Sequence, residues 1–225
     1  MYQPPHHVEE RPEVMHALIK AHPLGLLVST GPDGPTANAI PFLLDADAGA
    51  KGRLRAHLAR SNPQWREIAA NPQAPVLAVF QGIDTYVTPS WYATKRETGK
   101  VVPTWNYAMV QVRGIARVVD ERDWIAAQID EMTRVHEHGL KPREWEVSDA
   151  PAAFIEAQMR AIVGLEIEIA DISGKWKVSQ NRPAADRTGV VAGLRASADK
   201  PNAAAMADLV ERYGEERSKR ERGEA

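Results

Sequence analysis

Apolar residues recur along this chain with two different periods, and the switches between them mark the elements. Val14, Leu18 and Ile19 in RPEVMHALIKAHP have helical spacing, and Pro23 stops the helix. The apolar run Leu24–Ser29 and the stretch Thr36–Leu44 read as strands. The Gly and Pro residues of TGPDGP between them predict a hairpin turn. Pro41 confines the second strand to an edge or a bulge. Gly52–Ala59 alternates Leu54, Ala56 and Leu58 with Arg53, Arg55 and His57, a strand with one face buried. Asn62 followed by Pro63 predicts a helix start. Ala74–Gly82 reads as a buried strand and Met109–Val119 as a long alternating one.

Helices come late. ERDWIAAQIDEMTRVHEHG places Ile125, Ile129, Met132 and His136 on one side and ends at Gly139. SDAPAAFIEAQMRA, with Ser148 or Asp149 as cap, predicts another helix. Ile162–Ser173 alternates apolar and acidic residues, as a half-exposed strand does. From Asn202 the tail reads as a surface helix fraying into EERSKRERGEA. Strands dominate without regular strand–helix alternation, so the pattern predicts an antiparallel α+β domain, a barrel rather than a doubly wound sheet. There is no GxGxxG or Walker sequence for a Rossmann or P-loop site.

Composition narrows the chemistry. The 225 residues are 44% hydrophobic, enough for a core, and include no cysteine, which excludes thiolate metal sites and a cysteine nucleophile. A formal net charge of -2 offers no general attraction for nucleic acid. The opening MYQPPHHVEERPEV does not read as a signal peptide, and no apolar run approaches the roughly 20 residues that cross a bilayer. A cytoplasmic location is expected.

Two short stretches concentrate residues able to bind a ligand. ISGKWKVSQNRP groups Lys175, Lys177 and Arg182 around Ser179, Gln180 and Asn181. Cations suit a phosphate, and fixed amides suit the edge of a planar heterocycle; a solvated helix-capping loop is the alternative. PSWYATKRETGKVVPTWNY holds Trp91, Tyr92, Lys95, Lys100, Thr104, Trp105, Asn106 and Tyr107. Aromatic rings beside cations can hold a flat anion, or can cover the mouth of a barrel. HLARSNPQW puts His57 and Arg60 at a strand end and Asn62 at a helix start, either a phosphate site or a plain turn. His6 and His7 fall at a terminus expected to be mobile, and His136 and His138 lack the spacing and companions of a metal site.

Taken together, MYQPPHH, HLARSNPQW, PSWYATKRETGKVVPTWNY and IVGLEIEIADISGKWKVSQNRPAADRTGVVAGL resemble the PaiB family, FMN-binding negative transcriptional regulators. The match runs in order from residue 1 to about 194, departing where His7 stands in place of an expected aromatic. The resemblance implies an antiparallel split β-barrel with peripheral helices, like pyridoxamine-phosphate oxidase. It implies a homodimer holding FMN in a groove at the subunit interface. The FMN-binding domain would span residues 1–200, with a helical tail over 201–225. Arg60 and Lys95, then Lys175 and Lys177, become candidates for the phosphate. His57, Asn62, Trp105 and Asn106 become candidates for the ring or ribityl chain, Thr104 for a further cofactor contact, and Gln180 and Asn181 for the isoalloxazine edge from the partner subunit. Regulation through DNA or protein contacts, an FMN-dependent oxidoreductase reaction and haem binding are the functions this fold would permit.

Overall fold

The turn signal at Gly31–Gly34 closes the expected hairpin, with strands β2 (Leu24–Gly31) and β3 (Gly34–Pro41) in antiparallel register from Leu24 opposite Pro41 to Gly31 opposite Gly34. The computed structural model describes residues 1–197 and 199–224. It falls into two units, one of Met1–Met15, Gln81–Val110 and Ser173–Ala225, the other of His16–Phe80 and Gln111–Ile172. Ala225, the last residue of the expected tail, lies outside the described residues. The remaining strands are β1 (Val8–Glu9), β4 (Leu43–Asp45), β5 (Arg53–Ala59), β6 (Pro75–Val87), β7 (Thr104–Val119) and β8 (Ile162–Lys177). The helices are α1 (Pro12–Ala21), α2 (Gln64–Ala70), α3 (Ala93–Thr98), α4 (Arg122–Glu137), α5 (Ala152–Arg160), α6 (Ala184–Ala196) and α7 (Ala203–Glu221).

In the second unit, to which β6, β7 and β8 contribute residues 75–80, 111–119 and 162–172, the strand order is β3-β2-β6-β7-β8-β5-β4. The first and last strands of that order are joined by Phe42 alone, which brings the two ends of the sheet together as a barrel requires. Pro41 therefore sits at the end of the order, where its missing N–H costs no ladder bond. β5 turns Leu54, Ala56 and Leu58 inward, and β8 opposes it with Val163, Leu165 and Ile167. Each fully buried Leu or Ile contributes roughly 1.5–3 kcal/mol. Phe42 meets Phe80 edge to face at 5.5 Å, and Gly25 makes room for Phe80, whose ring a Cβ there would meet at 2.7 Å.

Buried polar groups fix this unit as firmly as apolar ones. Gln64 is fully buried. Its Nε2 donates to the Leu27 carbonyl at 3.1 Å and to Ser29 Oγ at 3.0 Å, and its Oε1 accepts from Asn38 Nδ2 at 3.0 Å, tying α2 to the hairpin. Glu166 on β8 accepts from Trp124 Nε1 at 2.9 Å and from Arg117 at 2.7 Å.

In the first unit β1 pairs antiparallel with β8, Val8 opposite Lys175 and Glu9 opposite Gly174. α6 packs against α7, and a 3-10 turn at Pro89–Trp91 packs against α6. Gly189 and Gly193, one helical turn apart, admit Trp91: a Cβ at Gly189 would lie 2.0 Å from its carbonyl oxygen, and one at Gly193 2.3 Å from its ring. Two expectations change here. α7 is not a surface helix alone, because Met206, Ala207, Val210 and Tyr213 are buried. His7 is not on a mobile end: it closes a 3-10 turn at Pro5–His7 and is only 4% exposed. Among the described residues no helix is long and apolar enough to cross a membrane.

Candidate functional site

β8 ends in Lys175-Trp176-Lys177, and the chain then turns through Ser179 in the left-handed region, φ 63°. A non-glycine residue there needs local support. Asn106 of β7 provides it, donating to Ser179 Oγ at 2.9 Å, with both side chains buried. Gln180 completes the turn: its Oε1 accepts from the Val178 N–H at 2.8 Å and its Nε2 donates to the Trp176 carbonyl at 2.5 Å.

This turn holds two lysines close to aromatic rings. Lys177 Nζ donates to Thr104 Oγ1 and, at 2.8 Å, to the Trp105 carbonyl. Lys175 Nζ donates to the Tyr2 carbonyl at 3.0 Å and lies 5.3 Å from the Tyr2 ring and 5.5 Å from that of Tyr107. These partners are neutral. Among the described residues neither lysine forms an ion pair, and neither does Arg182. Burial pushes the Lys177 ammonium below the usual lysine range, and the charges of Lys175 and Arg182 add to the shift. His7, beside the same cluster, is pushed down to about 4, by burial first and then by the charge of His6. Its Nδ1 is buried without a partner.

The donor set fits a flavin phosphate. Partly buried cations without a counter-charge favour an anion, which would restore both their Coulomb balance and their hydrogen bonding. Next to them Trp105 is 54% exposed and meets Tyr86 edge to face at 5.9 Å, leaving an open aromatic face for a flat ring system.

Thus Thr104, Trp105, Asn106, Lys175, Lys177 and Gln180 come together in one unit. Lys95 and Asn181 belong to the same unit with other partners. Lys95, on α3, donates to Ser90 Oγ at 3.2 Å. Asn181 lines an open groove of about 1010 Å³ together with Gln3, Arg11, Tyr213, Glu216 and Arg217. The other candidates stand in the second unit. His57 on β5 is held below its usual value by burial, with Nδ1 unpartnered. Arg60 is bonded within the chain, to Asp120 at 2.8 and 2.5 Å and to the carbonyls of Arg160 and Ile162 at 3.0 and 2.9 Å. Asn62 Oδ1 accepts from the Gln64 N–H at 3.0 Å, the capping role its sequence position predicts. Sequence reasoning missed Tyr2 and His7, because the β1–β8 pairing that brings them to the lysines leaves no local pattern.

The chain matches, over residues 1–171, the model of a family described as "Putative FMN-binding domain". An uncharacterized protein of Emericella nidulans is 34% identical over 98% of this chain and 100% of its own length. Protease synthase and sporulation protein PAI 2 of Bacillus subtilis is 31% identical over 94% of this chain and 97% of its own. Among solved structures, the FAD and heme binding protein of Mycobacterium smegmatis superposes with a TM-score of 0.53 at 17% identity, covering 76% of this chain and 73% of that one. The flavocytochrome Anf3 of Azotobacter vinelandii gives 0.53 at 16% identity, over 75% of this chain and 68% of that one. At such identities the likeness speaks for the fold, and the family match supplies the cofactor, FMN. By family model and by relatives along nearly its whole length, this chain is a member of the PaiB family of FMN-binding split-barrel proteins.

Proposed function

We propose that this chain is a homodimeric PaiB-type negative transcriptional regulator whose Lys175 and Lys177 hold the FMN phosphate. The observation that carries the site is the lysine pair, which among the described residues has no carboxylate partner, in a setting whose burial lowers the Lys177 pKa. Thr104 adds a hydroxyl, Trp105 a face for the ring system, and Asn106 holds the turn through Ser179. Gln180 and Asn181 would meet the isoalloxazine edge from the partner subunit. Arg60 and Lys95 are the alternative phosphate ligands, with His57 and Asn62 beside the ribityl chain. The FMN-binding domain spans residues 1–200 in this reading, with 201–225 as its helical tail.

Support for a dimer comes from β2, which is apolar on both faces. Leu27 points into the barrel, while Leu24 and Leu26 are 65% and 46% exposed. Across the ladder, Ala39 and Val79 flank Leu26, and Ala37 and Leu77 flank Val28. An outward sheet face made of such residues is suited to burial against a second copy.

The regulatory output rests on the family alone. An FMN-dependent oxidoreductase is the second reading, favoured by a net charge of -2 that gives no electrostatic pull toward DNA. Titration of the purified protein with FMN, FAD, riboflavin and haemin, followed by DNA mobility shift and NAD(P)H turnover, separates the readings. Saturable FMN binding with an FMN-dependent shift supports regulation. Turnover without a shift supports the enzyme, and absence of FMN binding at micromolar concentration removes both.

A further inference from the structure

Tyr213 of α7 lies beyond the residues that the family model matches, and it touches both β8, which carries the two lysines, and β1, which pairs with it. Its ring stacks on Trp176, at 6.5 Å and 20°. Trp176 is the residue between Lys175 and Lys177, so this contact grips β8 at the cluster itself. Its hydroxyl donates to the Glu9 carboxylate. Glu9 is on β1, opposite Gly174, and the preceding segment carries the contacts to Lys175. There the Tyr2 carbonyl accepts from Lys175 Nζ at 3.0 Å, and Gln3 Nε2 donates to the Gly174 carbonyl at 2.7 Å.

The contacts form a closed circuit of buried groups: β8, Trp176, Tyr213, Glu9, β1 and back to β8. Arg11 reinforces it, bonding Glu9 at 2.7 and 2.6 Å and reaching Glu216 at 3.2 Å. A parallel link runs from Arg217, which donates to the Gln180 carbonyl at 2.8 Å, through Gln180 to Trp176. Burial, together with the Glu9 carboxylate, raises the Tyr213 hydroxyl well above its ordinary value, so it remains a donor at any physiological pH.

We propose that Tyr213 is a positioning residue for the phosphate-binding lysines: by gripping Trp176 and Glu9 together, α7 holds β1 against β8 and fixes where the two ammonium groups point. This rests on the reading that Lys175 and Lys177 meet the FMN phosphate. The physical reason is entropic. A lysine side chain gives up rotamer freedom when it is ordered, so a frame that orders it before the ligand arrives strengthens binding to the phosphate specifically.

The test compares affinities of the full-length protein for FMN and for riboflavin, which lacks only the phosphate, in Tyr213→Phe, Tyr213→Leu, Lys175→Met and Lys177→Met, alongside thermal melts. Tyr213→Leu should lower the FMN-to-riboflavin affinity ratio by about tenfold, and Tyr213→Phe, which keeps the stacked ring, by about threefold. A merely structural tyrosine would lower the melting temperature and weaken both ligands equally. A wild-type ratio in the Tyr213 variants, with the ratio collapsed in a lysine variant, overturns this inference and leaves the site reading intact. A wild-type ratio in both lysine variants overturns the site reading and this inference with it. If Tyr213→Leu does not fold, Tyr213→Phe decides alone.

Discussion

Replacing Lys177 by Met should weaken FMN binding without destabilising the ligand-free protein. The substitution keeps the length of the side chain and removes its charge. In the ligand-free protein that charge is partly buried, bonded only to neutral oxygens and lowered in pKa by burial and by its cationic neighbours. Its removal relieves repulsion and gives up two hydrogen bonds to neutral groups, so the melting temperature should hold or rise slightly. With FMN bound, the same substitution removes a charge-assisted hydrogen bond worth about 1.5–3 kcal/mol, and the dissociation constant should rise by about ten- to 150-fold. Titration calorimetry at neutral pH and thermal melts of the ligand-free protein give the two readings. The sign with pH follows. For a lysine whose folded pKa is depressed, the unfolded chain holds more protons between the folded value and 10.5, so ligand-free stability rises with pH across that window. FMN affinity falls across the same window as the cation is lost, and Lys177→Met should lack that limb. Unchanged FMN affinity in the variant, or a melting temperature that drops without any loss of affinity, would refute the reasoning.

Other substitutions test the surrounding architecture. His7 titrates at about 4 in the fold against 6.5 unfolded, so acidification across that window should cost up to about 3 kcal/mol. His7→Phe should flatten the loss, and urea unfolding at pH 7 and pH 4.5 checks it; parallel behaviour of the two proteins would remove His7 as the cause. Gly189→Ala places a Cβ 2.0 Å from the Trp91 carbonyl oxygen, and the forced shift should cost about 1–3 kcal/mol, read as a lower melting temperature. Gln64→Leu keeps the volume but strands Asn38 Nδ2 and the Leu27 carbonyl, and should cost about 1–3 kcal/mol in a denaturant titration.

Much of the barrel was legible because its residues obey one period at a time. The alternation of β5 and the turn Gly31–Gly34 appear where the pattern places them. The long strands ran past their predicted ends, β6 to Val87, β7 back to Thr104 and β8 on to Lys177. At β8 the reason is specific: Lys175 is buried on the strand, and a buried lysine breaks any hydrophobic pattern. The sequence pattern does not reveal α3, because a helix as short as Ala93–Thr98 carries too little periodicity to declare itself. Of the candidate site, the side chains that bond across the turn after β8 were visible as unusual residue types. Tyr2, His7 and Tyr213 were not, since they reach the turn only through pairings between distant parts of the sequence.

A strand with apolar side chains on both faces has lost its ordinary safeguard against slippage, because shifting β2 by one residue would still turn leucines inward. Gly25 replaces that safeguard by shape. It is the one residue of Leu24-Gly25-Leu26-Leu27 that can face Phe80, and a slip in either direction would drive a leucine side chain into that ring. The alignment of this part of the barrel is thus set by an absent side chain, so a larger residue at Gly25 should yield a mixture of strand alignments as well as a less stable protein.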